Sequence, residues 1–282
     1  MADALPIVYV NGSYQPKAEA RISPFDRGFL FADAVYEVIP VFGSKAVLLD
    51  NHLIRLDNSL QELRIRNPHS KAEWISIIDT LILKNGGGDI GIYLQVSRGA
   101  EEGRDHFYPP NITPTVFAMA TPIVASPKDT SGISVITLED NRWLRCDIKS
   151  TSLLANIMVR QQARDAGADD AILIKDGVLT EAGSASVLTV ESDTVITRPN
   201  SNQLLPGTTR AMVLELAANA GIKCQDEIIS EERLLAADEI CLLSATKGIV
   251  PVIQIDGKAV GGGTPGPVWA KLYALYEDAK KR

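Results

Sequence analysis

An apolar run, IVYV, meets a polar one across IVYVNGSYQP, residues 7–16, and the Asn11-Gly12 pair in its middle predicts a tight hairpin. The next apolar stretch, VYEVIPVFGSKAVLL, continues as strand, turn and strand. The period then changes. In DNHLIRLDNSLQELRI, residues 50–65, Leu53, Leu56, Leu60 and Leu63 fall on one helical face, with Asp50 placed to cap the start. SKAEWISIIDTLILKNGGG predicts a second helix capped by Ser70 and stopped at its glycines. Strands follow at IGIYLQVSRG and PTVFAMAT. The proline- and serine-rich PIVASPKDTSG after them predicts a linker.

Beyond the linker come a strand at ISVITLE, a helix from about Leu153 and a hairpin turning at Asp176-Gly177 within DAILIKDGVLTEAGSASVLTV. A helix from Thr208, a strand at IKCQDEII and a short helix at SEERLLAAD follow. Strands at EICLLSAT and VPVIQIDG and a terminal helix from about Pro267 complete the pattern. Strands cluster without strict alternation with helices, which predicts α/β architecture built as α+β layers and not a doubly wound parallel sheet. The expected organisation is a smaller N-terminal α/β domain over 1–122, a linker over 123–132 and a larger C-terminal α/β domain over 133–282.

At 282 residues and 45% hydrophobic content the chain has material for a large core, and two domains are expected. A net charge of −7 gives no electrostatic basis for nucleic acid or an anionic membrane as partner. The three cysteines and three histidines show no metal-ligand spacing, so neither a disulfide framework nor a metal site is expected. No apolar run reaches the ~18 residues of a membrane span and no signal segment opens the chain, so a cytoplasmic location is expected. GGGDIG, residues 86–91, matches the dinucleotide fingerprint, but a helix precedes it and a strand follows. The order is the reverse of what pyrophosphate binding needs, which disfavours a nicotinamide-dependent oxidoreductase.

Candidate chemistry begins at Lys149, which ends a short extended run in RWLRCDIKSTSLLANIMVRQQA. A lysine there reads first as a solvated side chain. The alternative is a Schiff-base lysine, which needs partial desolvation so that a useful fraction of the amine is unprotonated. Glu181, in LTEAGSAS, is a carboxylate able to keep a pyridine nitrogen protonated. Pro206-Gly207-Thr208-Thr209 places a helix start, two hydroxyls and backbone N–H groups where a phosphate can sit, and Arg55 is a bidentate phosphate donor. Each feature also has an ordinary structural reading.

As a set, FDRGFLFADAVYEV, HLIRLDNSLQEL, RWLRCDIKSTSLLANIMVRQQA, DGVLTEAGSASVLTV, LLPGTTR and SATKGIVPVIQIDG resemble the fold-type IV pyridoxal-phosphate enzymes over nearly the whole chain. That class holds D-amino-acid transaminases, branched-chain aminotransferases and aminodeoxychorismate lyases. The resemblance implies a two-domain fold, a homodimer with pyridoxal 5'-phosphate between domains, and Lys149 as the residue bonded to it. It further implies Glu181 as partner of the pyridine nitrogen, Arg142 near the ring hydroxyl, and Arg55, Leu205, Thr208, Thr209 and Ser244 as cofactor contacts. Ala245 matches a phosphate-contacting position without a hydroxyl, and Ser186 stands where the family carries asparagine.

Within the class, SRGAEEGRDHFYPP directs the choice. Arg104 and His106, pointing the same way from an extended segment, form a cationic donor set suited to an α-carboxylate. This resembles the carboxylate trap of D-amino-acid transaminases, in which Tyr36 is a further substrate contact; the loop here is one residue longer. The expected activity is ping-pong transfer of an amino group from a D-amino acid such as D-alanine to a 2-oxo acid such as 2-oxoglutarate. An (R)-amine transaminase, a branched-chain aminotransferase and an aminodeoxychorismate lyase remain alternatives of the same fold.

Overall fold

A computed structural model describes residues 3–281. Two compact units emerge: residues up to Val124 together with Ile148–Ser152, and Ala125–Asp147 together with Leu153 onwards.

The first unit opens with β1 (Ile7–Val10) and β2 (Ser13–Pro16), joined through Asn11 and Gly12 at φ 45° and 95°. Both positive angles are what a two-residue turn matched to the strand twist requires. A short helix, α1 (Arg27–Phe31), starts at Asp26, whose side chain accepts from the Gly28 N–H at 2.8 Å. β3 (Ala34–Phe42), β4 (Lys45–Ala46), α2 (Leu49–Glu62), α3 (Lys71–Lys84), β5 (Ile90–Ser97) and β6 (Thr115–Pro122) follow. The six strands form one antiparallel sheet in the order β2-β1-β6-β5-β3-β4. Leu53, Leu56 and Leu60 of α2 and Trp74, Ile78 and Leu81 of α3 bury against Val35, Ile39, Ile92 and Leu94 of the sheet. Each such side chain contributes about 1.5–3 kcal/mol on leaving water.

Ser70 caps α3 as expected, and Glu73 returns the bond in a full capping box. Asp50 does not cap α2. The cap is Leu48, in a left-handed conformation with φ 55°, and Asp50 sits in the first turn, paired with Lys71 at 2.8 Å. Its charge there still complements the positive end of the helix. α1 has no counterpart in the sequence reading, being too short for its period to show.

The second unit contains α4 (Lys128–Ser131), β7 (Ile133–Glu139), α5 (Leu154–Asp165), β8 (Asp170–Lys175), β9 (Val178–Ala182), β10 (Ser186–Glu191) and β11 (Thr194–Thr197). It continues with α6 (Thr208–Asn219), β12 (Cys224–Asp226), α7 (Glu231–Ala236), β13 (Glu239–Ser244), β14 (Gly248–Ile255), β15 (Lys258–Ala259) and α8 (Pro267–Ala279). Nine strands form a mixed sheet, β12-β11-β10-β13-β14-β7-β8-β9, with β15 on β14. β7 runs parallel to both β8 and β14, and β11 parallel to β12; the other pairings are antiparallel. Mixed strand direction with helices between clusters is the layered α/β architecture expected, without a doubly wound sheet. The segment read as linker holds the single helical turn of α4.

Residues 148–152 depart from the expected assignment of 133–282 to one domain. They follow the start of β3: the Tyr36 N–H donates to the Lys149 carbonyl at 2.9 Å, and the Thr151 N–H to the Ala34 carbonyl at 3.0 Å. Ile148 joins the first unit's core.

Candidate functional site

Lys149 is held by its backbone before its side chain is considered. Besides the bond from Tyr36, its own N–H donates to Ser59 Oγ of α2 at 3.2 Å. Its Nζ lies 4.2 Å from the centroid of the half-buried Tyr36 ring. Tyr36 in turn stacks on Tyr93 at 5.6 Å, and the Tyr93 hydroxyl donates to Gln95 Oε1 at 2.7 Å. Burial pushes the Tyr93 phenol up to about 12, so it stays a neutral donor. An amine set against an aromatic face, with its main chain pinned on two sides, is partly desolvated and has little freedom to drift.

Arg55 is buried on α2 one turn from His52. Its Nε and Nη2 donate to the two oxygens of Glu37, each at 2.8 Å, and His52 Nδ1 lies 2.7 Å from Glu37 Oε2. Burial alone would raise the Glu37 pKa, but the Arg55 guanidinium more than offsets it and holds the carboxyl at about 2. Burial lowers the His52 pKa despite the neighbouring carboxylate, so the imidazole is neutral and donates from Nδ1. Sequence reasoning found Arg55 but missed its two partners. The signal was present: Glu37 falls in the apolar row of β3 with Val35 and Ile39, where a charge is stable only if paired.

Arg104 and His106 both flank Phe31. The Arg104 guanidinium lies 4.6 Å from the ring centroid and the His106 ring 5.4 Å from it, and both residues are solvent-exposed. Both side chains thus lie against the same ring.

In the second unit Glu181 and Arg142 form a buried ion pair. Glu181 Oε2 also accepts from the Leu205 N–H at 3.1 Å. Arg142 is gripped on its other side by Asp140, Nε to Oδ1 at 2.8 Å and Nη2 to Oδ2 at 2.7 Å, and Asp140 Oδ2 accepts from Thr180 Oγ1 at 2.7 Å. Burial alone would lower the Arg142 pKa; Asp140 and Glu181 raise it, so the guanidinium is permanently charged. The same guanidinium keeps Asp140 ionised against the opposing effect of burial. Glu181 thus has donors on both oxygens.

Thr208 and Thr209 are buried at the start of α6, after the cap residue Gly207. A Cβ at Gly207 would lie 2.5 Å from Ser186 Oγ, so a side chain there would have to displace Ser186. Ser244 ends β13, paired with Gly248, and Ala245 follows it in the turn to β14.

The first unit carries Lys149 and Arg55 and the second carries Glu181, Thr208 and Thr209; comparison with known proteins shows the class to which the chain belongs. The family model for class IV amino-transferases matches residues 34–255. A D-alanine aminotransferase of Bacillus licheniformis is 40% identical over 273 residues, covering 96% of each chain. Among solved structures, the branched-chain amino acid aminotransferase of Escherichia coli superposes with a TM-score of 0.90 at 23% identity, over 96% of this chain and 95% of that one. A hypothetical aminotransferase from Mycobacterium tuberculosis in its PLP-bound form gives 0.87 at 22% identity, over 97% and 98%. This chain belongs to the class IV aminotransferase family and has its fold.

Proposed function

We propose that this protein is a pyridoxal-phosphate-dependent transaminase that moves an amino group from a D-amino acid, such as D-alanine, to a 2-oxo acid by a ping-pong sequence. The observation that carries the reading is Lys149: an amine anchored through its backbone to β3 and α2 and laid against Tyr36. The relationship to a D-alanine aminotransferase over 96% of the chain supports the choice of substrate series.

The residues fit the cofactor chemically. The start of α6 offers backbone N–H groups without a side-chain cap, with the buried Thr208 and Thr209 beside them, which suits a phosphate; Ser244 and Arg55 would be the further donors that the family resemblance implies. Lys149 would hold the aldehyde carbon, Glu181 the ring nitrogen, and Arg142 and Leu205 stand beside Glu181 to fix it. When bound, pyridoxal 5'-phosphate supplies an aldehyde reactive toward amines and a ring that accepts charge from the substrate α-carbon.

Around that group the chain's own parts divide the work. Lys149 Nζ, free once the substrate amine has replaced it at the aldehyde carbon, would take the proton from the substrate α-carbon. Glu181, held by Arg142 and the Leu205 N–H, would sit at the ring nitrogen. Arg104 and His106 bind the α-carboxylate, with Tyr36 as a further substrate contact. Large apolar side chains left exposed, among them Phe29 at 77% and Phe107 at 81% in the first unit and Leu154 at 72% in the second, support assembly as a homodimer. Among the described residues no helix is long and apolar enough to cross a membrane, and a cytoplasmic location fits small-molecule amino-acid and 2-oxo-acid partners.

The decisive experiment is borohydride reduction of the purified protein, which is expected to bleach a visible band and add the cofactor's mass to the peptide carrying Lys149. Lys149→Ala is expected to lose turnover of D-alanine with 2-oxoglutarate. An unmodified Lys149 peptide, or a Lys149→Ala variant of near wild-type rate, overturns the proposal; turnover of L-leucine in place of D-alanine moves the substrate to the branched-chain series.

A further inference from the structure

Arg27 is among the most deeply buried charged residues of the first unit, 2% exposed, yet nothing in the chemistry above uses it. Its Nε donates to Asp33 Oδ2 at 2.9 Å. Its Nη1 donates to the Glu101 carboxylate and, at 2.6 Å, to the Asp105 carbonyl. Asp33 also accepts from a second buried arginine, Arg98, Nε to Oδ2 at 2.7 Å and Nη2 to Oδ1 at 3.0 Å. Arg98 donates further to the carbonyls of Leu63 and Arg64, and its guanidinium lies 3.6 Å from the Tyr108 ring centroid. Two arginines joined through Asp33 therefore hold the loop at Glu101 and Asp105 on one side and at Tyr108 on the other.

The placement of the grip matters. Asp105 stands between Arg104 and His106, and its carbonyl belongs to the planar peptide leading into His106. Holding that oxygen restricts the peptide plane between Asp105 and His106, and with it the direction in which the His106 side chain leaves the chain; Arg104 is met through Phe31. Phe31 serves as a common platform, with the Arg27 guanidinium at 4.7 Å from its centroid and Arg104 at 4.6 Å. Without these ties the segment would be an exposed loop containing a glycine at φ 123°, Gly103, with only Phe31 to orient Arg104 and His106.

We propose that Arg27 and Glu101 are positioning residues for carboxylate recognition, setting the Arg104–His106 pair by clamping the loop between them. This rests on the reading of Arg104 and His106 as the carboxylate-binding pair. The clamp makes binding of an amino acid dependent on a residue that never touches it.

The test uses the full-length holoenzyme with Glu101→Ala, a loop substitution that leaves the core intact, and Glu101→Gln, which keeps an acceptor for Arg27. Glu101→Ala is expected to raise KM for D-alanine about tenfold with kcat nearly unchanged. It should leave conversion of 1-phenylethylamine, which has no carboxylate, as in the wild type. It should also speed amide hydrogen exchange across residues 100–107, and Glu101→Gln should recover most of both effects. Unchanged exchange, unchanged KM, or an equal loss for the amine overturns the clamp. Arg104→Ala separates the two levels. If it raises KM for D-alanine while Glu101→Ala does not, only the clamp fails; if it also has no effect, the carboxylate-binding reading fails and the clamp with it.

Discussion

Glu181 and Arg142 form a buried ion pair in which the carboxylate also accepts from the Leu205 N–H, while Asp140 holds the far side of the guanidinium. Arg142 thus shares its charge between two carboxylates, Glu181 and Asp140. Glu181→Gln removes the negative charge but leaves Arg142 its bidentate partner. The expected result is a kcat lower by on the order of a hundredfold or more, with the melting temperature changed by a few degrees only. Steady-state kinetics and calorimetry on one preparation check it, and a near wild-type kcat contradicts the role of Glu181.

The Glu37 carboxylate, held at about 2 against an ordinary 4.5, carries a stability signature. Its folded-state pKa is depressed, so its contribution is fully present above about pH 4.5 and is lost as pH falls toward 2. Glu37→Gln leaves Arg55 without its counter-charge and is expected to cost about 3–5 kcal/mol at pH 7. The gap between variant and wild type should narrow below pH 4.5. Urea unfolding at pH 7, 5 and 3 measures it, and a gap independent of pH would rule out the charged pair as its source.

Arg104→Ala should weaken binding of D-alanine while sparing amines that lack a carboxylate. Loss of a charge-assisted hydrogen bond of about 1.5–3 kcal/mol corresponds to a KM increase of about ten- to a hundredfold. Equal losses for D-alanine and for 1-phenylethylamine would remove the carboxylate role from this loop.

Gly99, at the root of the same loop, has φ 119°, and a Cβ there would overlap the Thr113 carbonyl oxygen. The backbone at Thr113, two residues before β6, cannot yield as a flexible side chain can. Gly99→Ala is expected to destabilise the protein by more than about 1 kcal/mol and to impair D-alanine binding along with it. Thermal unfolding and KM read the two effects, and a variant with unchanged melting temperature would show that the loop root tolerates a side chain.

Much of this was legible in the residue order. The Asn11-Gly12 hairpin, the capping box at Ser70 and the hairpin at Asp176-Gly177 are local features, each decided within a few residues by dihedral preference and hydrogen-bonding reach. The leucine stripe of α2 and the reversed context of GGGDIG were equally plain, since periodicity requires no knowledge of what lies opposite. The candidates Lys149, Glu181, Arg55 and Arg104 came from residue chemistry and a resemblance in motif order.

What the sequence by itself determined was therefore the identity and order of the elements and the kinds of chemistry available, because these depend on short-range sterics, period and functional group. Only the tertiary structure decided that residues 148–152 pair with β3, that Glu37 and His52 surround Arg55, and that Arg27 reaches across 74 positions to Glu101. Those pairings join residues distant along the chain. A buried charge names its need for a partner in the sequence, but which partner meets it is settled by the packing that excludes water from both.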